Sequence, residues 1–120
     1  MSVIDPNKIV AFVPSAGLGT RLKPLTNHAP KALVQFMGRS MLEGVLYRLH
    51  ESGLRKFIIN VHHFPEQMFA AIDELSKLYN IRISDETAQL LDTGGGLARA
   101  GQLLTEDEQT ILVHNVDVYA

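Results

Sequence analysis

The chain has 120 residues, 46 % of them apolar, and a formal net charge of −2. That length holds one modest domain with a real core, and a mild negative balance without a basic stripe speaks against a nucleic-acid surface, which needs clustered Lys and Arg to replace phosphate counterions. There is no cysteine, so neither a disulfide framework nor a thiolate metal site is possible, and a reducing compartment fits.

At the start, MSVIDPNK lacks the basic and apolar regions of a signal peptide. No apolar run in the chain approaches the roughly 20 residues that span a bilayer, so a cytoplasmic protein without a membrane partner is expected. Lys8 to Pro14, KIVAFVP, reads as a strand buried on both faces. A glycine-rich loop follows. Ser40 then opens a helix with Glu43 three residues on, the capping-box spacing. Leu42, Val45, Leu46 and Leu49 form its apolar stripe, and Gly53 stands at its C-terminal cap. Phe57 to Val61 is the next strand. Pro65 starts a second helix that runs to about Tyr79 and stops at Asn80, with Met68, Ala71, Ile72 and Leu75 facing inward. Ile81 to Ser84 is a third strand, Leu97 to Leu104 a short helix after three glycines, and Thr110 to Val116 a fourth strand.

Strands alternating with helices predict an α/β fold with a mostly parallel sheet, in which ligands bind outside the carboxyl ends of the strands. The loops that matter are then those after Pro14, Val61, Ser84 and Val116. A parallel sheet that stops at its fourth strand looks unfinished, so residues 1–120 are expected to be the first part of a longer chain.

The loop SAGLGTRLKPLT, Ser15 to Thr26, carries the strongest signal. Gly17 and Gly19 remove two Cβ atoms, so backbone N–H groups can approach an anion. A dinucleotide fingerprint would need a third glycine opening a helix, where Leu22 stands, and Pro24 disfavours that helix. A P-loop needs Lys then Ser or Thr after its last glycine, and Thr20-Arg21 does not fit. What remains is a loop holding Arg21 beside the glycines, or else a surface turn with incidental charges. A guanidinium is a planar fork matched to phosphate oxygens, Pro24 and Pro30 stiffen the chain around it, and Lys31 is a second cation.

Two further stretches stand at predicted strand ends. In LDTGGG the glycines allow something bulky to approach closely, before a helix N-terminus that favours an anion or polar ligand edge. Asp117 follows the fourth strand and is a possible magnesium ligand beside polyphosphate. His62 and His63 are adjacent on an extended chain and point to opposite faces, so they make a poor metal pair.

G-x-G-T-R-L-x-P-L-T followed by P-K, here Gly17 to Thr26 and Pro30-Lys31, resembles the signature of the sugar-1-phosphate nucleotidyltransferases. The likeness continues through LLDTGGG and the acidic strand end, with Pro14-Ser15 standing where that family more often has small apolar residues and Val116 replacing a usual small residue. The resemblance implies a Rossmann-like three-layer sandwich of the GT-A-like kind. It implies an enzyme that joins an NTP and a sugar 1-phosphate to give an NDP-sugar and pyrophosphate. On it, Arg21 and Lys31 are catalytic. Ala16, Gly17, Gly19, Thr20, Arg21, Glu86, Gly95 and Gly96 bind nucleotide, with Glu86 reading the base edge. Lys31, His62 and Asn115 meet the sugar phosphate, and Asp117 holds Mg²⁺. Two alternatives stay open: a non-catalytic nucleotide-binding regulatory subunit of the same fold, and a phosphocholine cytidylyltransferase-type enzyme.

Overall fold

Ile9–Val13 (β1) is a run of β-branched and aromatic residues around Ala11, and every one from Val10 onward is buried. Its alternation sends Ala11 and Val13 to one face of the sheet and Val10 and Phe12 to the other. The computed structural model describes residues 5–16, 28–36, 38–91 and 93–116. Within them the elements after β1 are a small hairpin of Gln35–Phe36 (β2) and Arg39–Ser40 (β3), Met41–Glu51 (α1), Lys56–Val61 (β4), Pro65–Leu75 (α2), Asn80–Asp85 (β5), Thr93–Gly101 (α3) and Thr110–Val113 (β6). Short 3₁₀ turns span Pro6–Lys8 and Lys31–Leu33.

The main sheet has the order β5-β4-β1-β6 with every pairing parallel. The apolar stripe of α1 and Met68, Ile72 and Leu75 of α2 pack on one face, against Ala11, Val13, Phe57, Ile59 and Val61. On the other face Val10, Phe12 and Ile58 meet Ala100 of α3, with Leu103, Leu104 and Ile111 at the margin. This is the parallel α/β sheet that the alternating pattern predicts, in the three-layer arrangement that the resemblance implies. Leu42 and Leu46 of α1 are fully buried; each contributes about 2 kcal/mol on removal from water.

The expected start of α1 is present in detail: Ser40 is the N-cap and its hydroxyl accepts from the Glu43 amide at 3.1 Å. At its end Gly53 adopts φ +111°, a conformation that glycine takes without Cβ strain. Other boundaries differ. The second helix ends at Leu75, not near Tyr79. The amides of Leu78 and Tyr79 both turn back to Leu75 O, and the Tyr79 ring packs edge-on against Phe57 and His50. That packing redirects the chain, so Asn80 begins a strand instead of stopping a helix.

The third helix starts at Thr93 and takes in all three glycines, four residues before the expected start at Leu97. Glycine is a poor helix former, and tertiary packing overrides the propensity here. Gly96 is buried, and a Cβ there would lie 3.5 Å from Glu86 Oε2 and 3.9 Å from the Phe12 ring. The fourth strand ends at Val113, although the His114 amide still reaches Phe12 O.

Candidate functional site

The carboxyl ends of β1, β4 and β5 converge on one buried polar side chain, Asn60. It sits on β4 with Ile58, on the α3 side of the sheet, in a strand that is otherwise apolar beyond Lys56. Its Oδ1 accepts from the backbone amides of both Ser15 and Ala16, the latter at 3.0 Å. Its Nδ2 donates to Glu86 Oε2 at 3.0 Å. Two amide donors on one side and a carboxylate on the other fix which way the carboxamide points.

Glu86 is 1 % exposed. Its second oxygen, Oε1, accepts from the Leu91 amide at 3.0 Å, closing the turn that leads into α3. Its own amide donates to Val61 O, and its carbonyl accepts from His62 Nδ1 at 2.7 Å. A carbonyl cannot donate, so His62 carries its proton on Nδ1 in this contact. The same turn opens at Asp85, whose exposed carboxyl is held below the usual range by the hydroxyl and amide of Thr87.

The loop between Ala16 and His28 is thus gripped at both described margins. Asn60 holds Ser15 and Ala16 before it, and Gln67 of α2 donates to His28 O at 2.8 Å after it. Beyond that margin Pro30 is buried with backbone angles φ −67° and ψ 151°, and Lys31 opens the 3₁₀ turn whose Ala32 enters the core beside α1. Phe64, just before α2, has φ 48°. Pro65 disfavours the right-handed helical region for the residue ahead of it, and a left-handed phenylalanine stores about 1–2 kcal/mol.

The structure therefore joins several of the residues picked from sequence. Ala16, Glu86 and Gly96 meet around Asn60, and His62 joins them through the Glu86 carbonyl. Gly95 lies one residue away in the first turn of α3. Glu86 does not stand as an open reader of a base edge, because burial and two hydrogen bonds turn its carboxylate into the protein. His62 binds the turn after β5 through its Nδ1. Lys31 is positioned by another part of the fold, in the 3₁₀ turn that packs beside α1. Asn115 is exposed after β6, and its carbonyl is 2.8 Å from His114 Nδ1. Gly17, Gly19, Thr20, Arg21 and Asp117 lie outside the described residues. Asn60 has no role in the sequence reading; its one signal there is a polar residue near the end of an apolar strand.

Among the described residues no group of three or more His, Asp or Glu converges as a metal centre would require. The carboxylate of Asp117 is by type the hard oxygen donor that Mg²⁺ takes.

A family model described as nucleotidyl transferase matches residues 10–120. The N-acetylmuramate alpha-1-phosphate uridylyltransferase of Caulobacter vibrioides is 40 % identical over 111 residues, which cover 90 % of this chain and 45 % of that protein. The mannose-1-phosphate guanyltransferase of Aspergillus fumigatus is 34 % identical over 109 residues, covering 90 % of this chain and 30 % of its own length. The chain thus spans less than half the length of these relatives. Among solved structures, the CTP:phosphocholine cytidylyltransferase of Streptococcus pneumoniae superimposes with a TM-score of 0.70 at 29 % identity, covering 92 % of this chain and 45 % of that one. A glycine- and arginine-bearing loop in the sequence after β1, its margins held by Asn60 at a strand end and by Gln67 of α2, and a match through nearly the whole chain lead to one assignment: this chain belongs to the nucleotidyl transferase family.

Proposed function

We propose that the protein carrying this chain transfers a nucleotidyl group from an NTP to a sugar 1-phosphate, releasing pyrophosphate. The observation that carries the reading is the Asn60 network, which gathers the mouth of the glycine-arginine loop, the Glu86 turn and the glycine face of α3 around one place at the strand ends. The two relatives named for a uridylyl and a guanylyl transfer support the same chemistry.

The reaction would form a bond between a sugar-phosphate oxygen and the α-phosphorus as the bond from that phosphorus to the bridging β-phosphate oxygen breaks. The nucleophile is already an anion, so no strong base is required. The obstacle is bringing polyanions together, and catalysis reduces to positioning and charge neutralisation. Gly17, Gly19 and Thr20 would admit the triphosphate after Ala16, Arg21 would hold the departing pyrophosphate, and Lys31 would neutralise the reacting phosphates. Gly95 and Gly96 would flank base and ribose, with Glu86 bracing that side. His62 and Asn115 would border the acceptor. Mg²⁺, held by Asp117, would supply further positive charge to the phosphates. A cytoplasmic setting fits these small anionic substrates.

The test is pyrophosphate release by the full-length protein over a grid of NTPs and sugar 1-phosphates, with CTP and phosphocholine included because of the cytidylyltransferase likeness. Release with a sugar 1-phosphate is expected, and Arg21→Ala should lower turnover by roughly 100-fold, the scale of one preorganised charge contact. Nucleotide binding without release from any pair would favour a regulatory subunit instead.

A further inference from the structure

We propose that Asn60 is a positioning residue that couples the two halves of the nucleotide pocket, tying the mouth of the phosphate loop to the base-side turn through Glu86. The inference rests on the proposed nucleotidyl transfer but concerns a side chain that contacts neither phosphate nor base in that scheme. One carboxamide bonds three partners from two other segments: Ser15 and Ala16 beyond β1 and Glu86 beyond β5. Glu86 extends the chain of bonds to Leu91 ahead of α3. Asn60 is 7 % exposed and Glu86 1 % exposed, so water cannot readily replace either partner.

The polarity of the network is specific. Toward Ser15 and Ala16 residue 60 must present an acceptor, and toward Glu86 it must present a donor. Glu86 must accept on both oxygens, from Asn60 and from the Leu91 amide. In Asn60→Asp two carboxylates face each other across this contact. In Glu86→Gln the side-chain amide cannot accept from both Asn60 Nδ2 and Leu91 N. Either single change leaves a buried clash of like groups. The double change restores every bond, with the polarity of one reversed. The carboxylate introduced at position 60 would accept from the two backbone amides and from the side-chain amide nitrogen introduced at position 86, whose oxygen would accept from Leu91 N. Side-chain volume hardly changes in any of the three proteins.

Steady-state kinetics of the full-length N60D, E86Q and N60D/E86Q proteins test this. Each single variant should raise KM for the NTP by about tenfold or more, the range for a hydrogen bond to a charged group. KM for the sugar 1-phosphate should stay near wild type, and the double variant should return close to the wild-type KM for the NTP. Single variants with an unchanged NTP KM overturn the proposal, and so does a folded double variant as impaired as the singles. If a single variant fails to fold, the double variant decides alone: wild-type-like NTP KM supports the coupling, and impairment or failure to fold overturns it. Amide hydrogen exchange at Leu91 reports the network without catalysis, with protection expected in the wild type and the double variant and loss in the singles. Absence of pyrophosphate release from the wild type sinks the proposed function instead, and the exchange pattern separates that outcome from a failure of the coupling.

Discussion

Ser84 shows at the scale of one residue how the site end of the sheet is built. It pairs in register with Asn60 and is 2 % exposed, yet its hydroxyl has no hydrogen-bond partner among the described residues. A buried hydroxyl left unbonded costs about 1–3 kcal/mol. Ser84→Ala removes the group and leaves only a small void, so the protein should gain about 1 kcal/mol in urea unfolding. A loss of stability would mean that the hydroxyl has a partner. Asn60 beside it is the contrast: also buried, but with both ends of its carboxamide bonded.

At the scale of elements, a charged cluster clamps the amino-terminal side of the sheet. Glu108, in the turn before β6, has a fully buried side chain held by a two-pronged contact with Arg82 of β5 at 2.6 and 2.7 Å. Lys56, at the start of β4, reaches the same carboxylate at 2.9 Å, and the Thr105 amide donates to it at 2.8 Å. Arg82 also bonds Leu103 O at the exit of α3. The Arg82 guanidinium, more than any other neighbour, holds the Glu108 carboxyl well below the ordinary carboxylate range. A carboxyl lowered on folding stabilises the protein above its unfolded value near 4.3 and loses that contribution as pH falls through the acid range. Glu108→Gln should therefore cost about 3 kcal/mol at pH 7, toward the low end for a broken buried pair because its cationic partners keep some solvent contact. The gap from wild type should narrow in urea titrations below pH 4. A gap that stays constant with pH would show that the carboxylate charge is not what stabilises.

For the molecule as a whole, the two polar clusters share the α3 face of the sheet but sit at its opposite ends. Lys56 and Asn60 are four residues apart on β4, roughly 13 Å at the rise of a strand. Sites that far apart without a shared partner contribute independently. Mg²⁺–NTP at about 100 times its Kd should stabilise the full-length protein by about 2.7 kcal/mol. That increment should persist in Glu108→Gln despite the lower starting stability, and shrink in N60D. An equal shrinkage in Glu108→Gln would mean that the clamp and the site are coupled through the sheet. β6 is the edge strand of the described sheet, where Leu112 and Val113 are exposed.

Much of this was legible in the chain. Local rules dictate the apolar run of β1, the Ser40 cap, the buried stripe of α1 and the strand-helix alternation, because each depends on neighbours within a few residues, and together they specify a parallel sheet. The string of glycines, arginine and prolines from Gly17 to Pro30 is likewise written in order along the chain, so its resemblance to a family signature is legible there, while the roles drawn from it stay proposals. What tertiary structure alone decided involves contacts between distant segments: α2 ending early as Tyr79 packs on Phe57, the three glycines entering the first turn of α3 with Gly96 in contact distance of Glu86, and Glu86 turning inward to Asn60. A hydrogen bond linking residues 26 positions apart leaves no periodic trace in sequence, because what selects its partners is the parallel register of β4 and β5, which exists only once the sheet has formed.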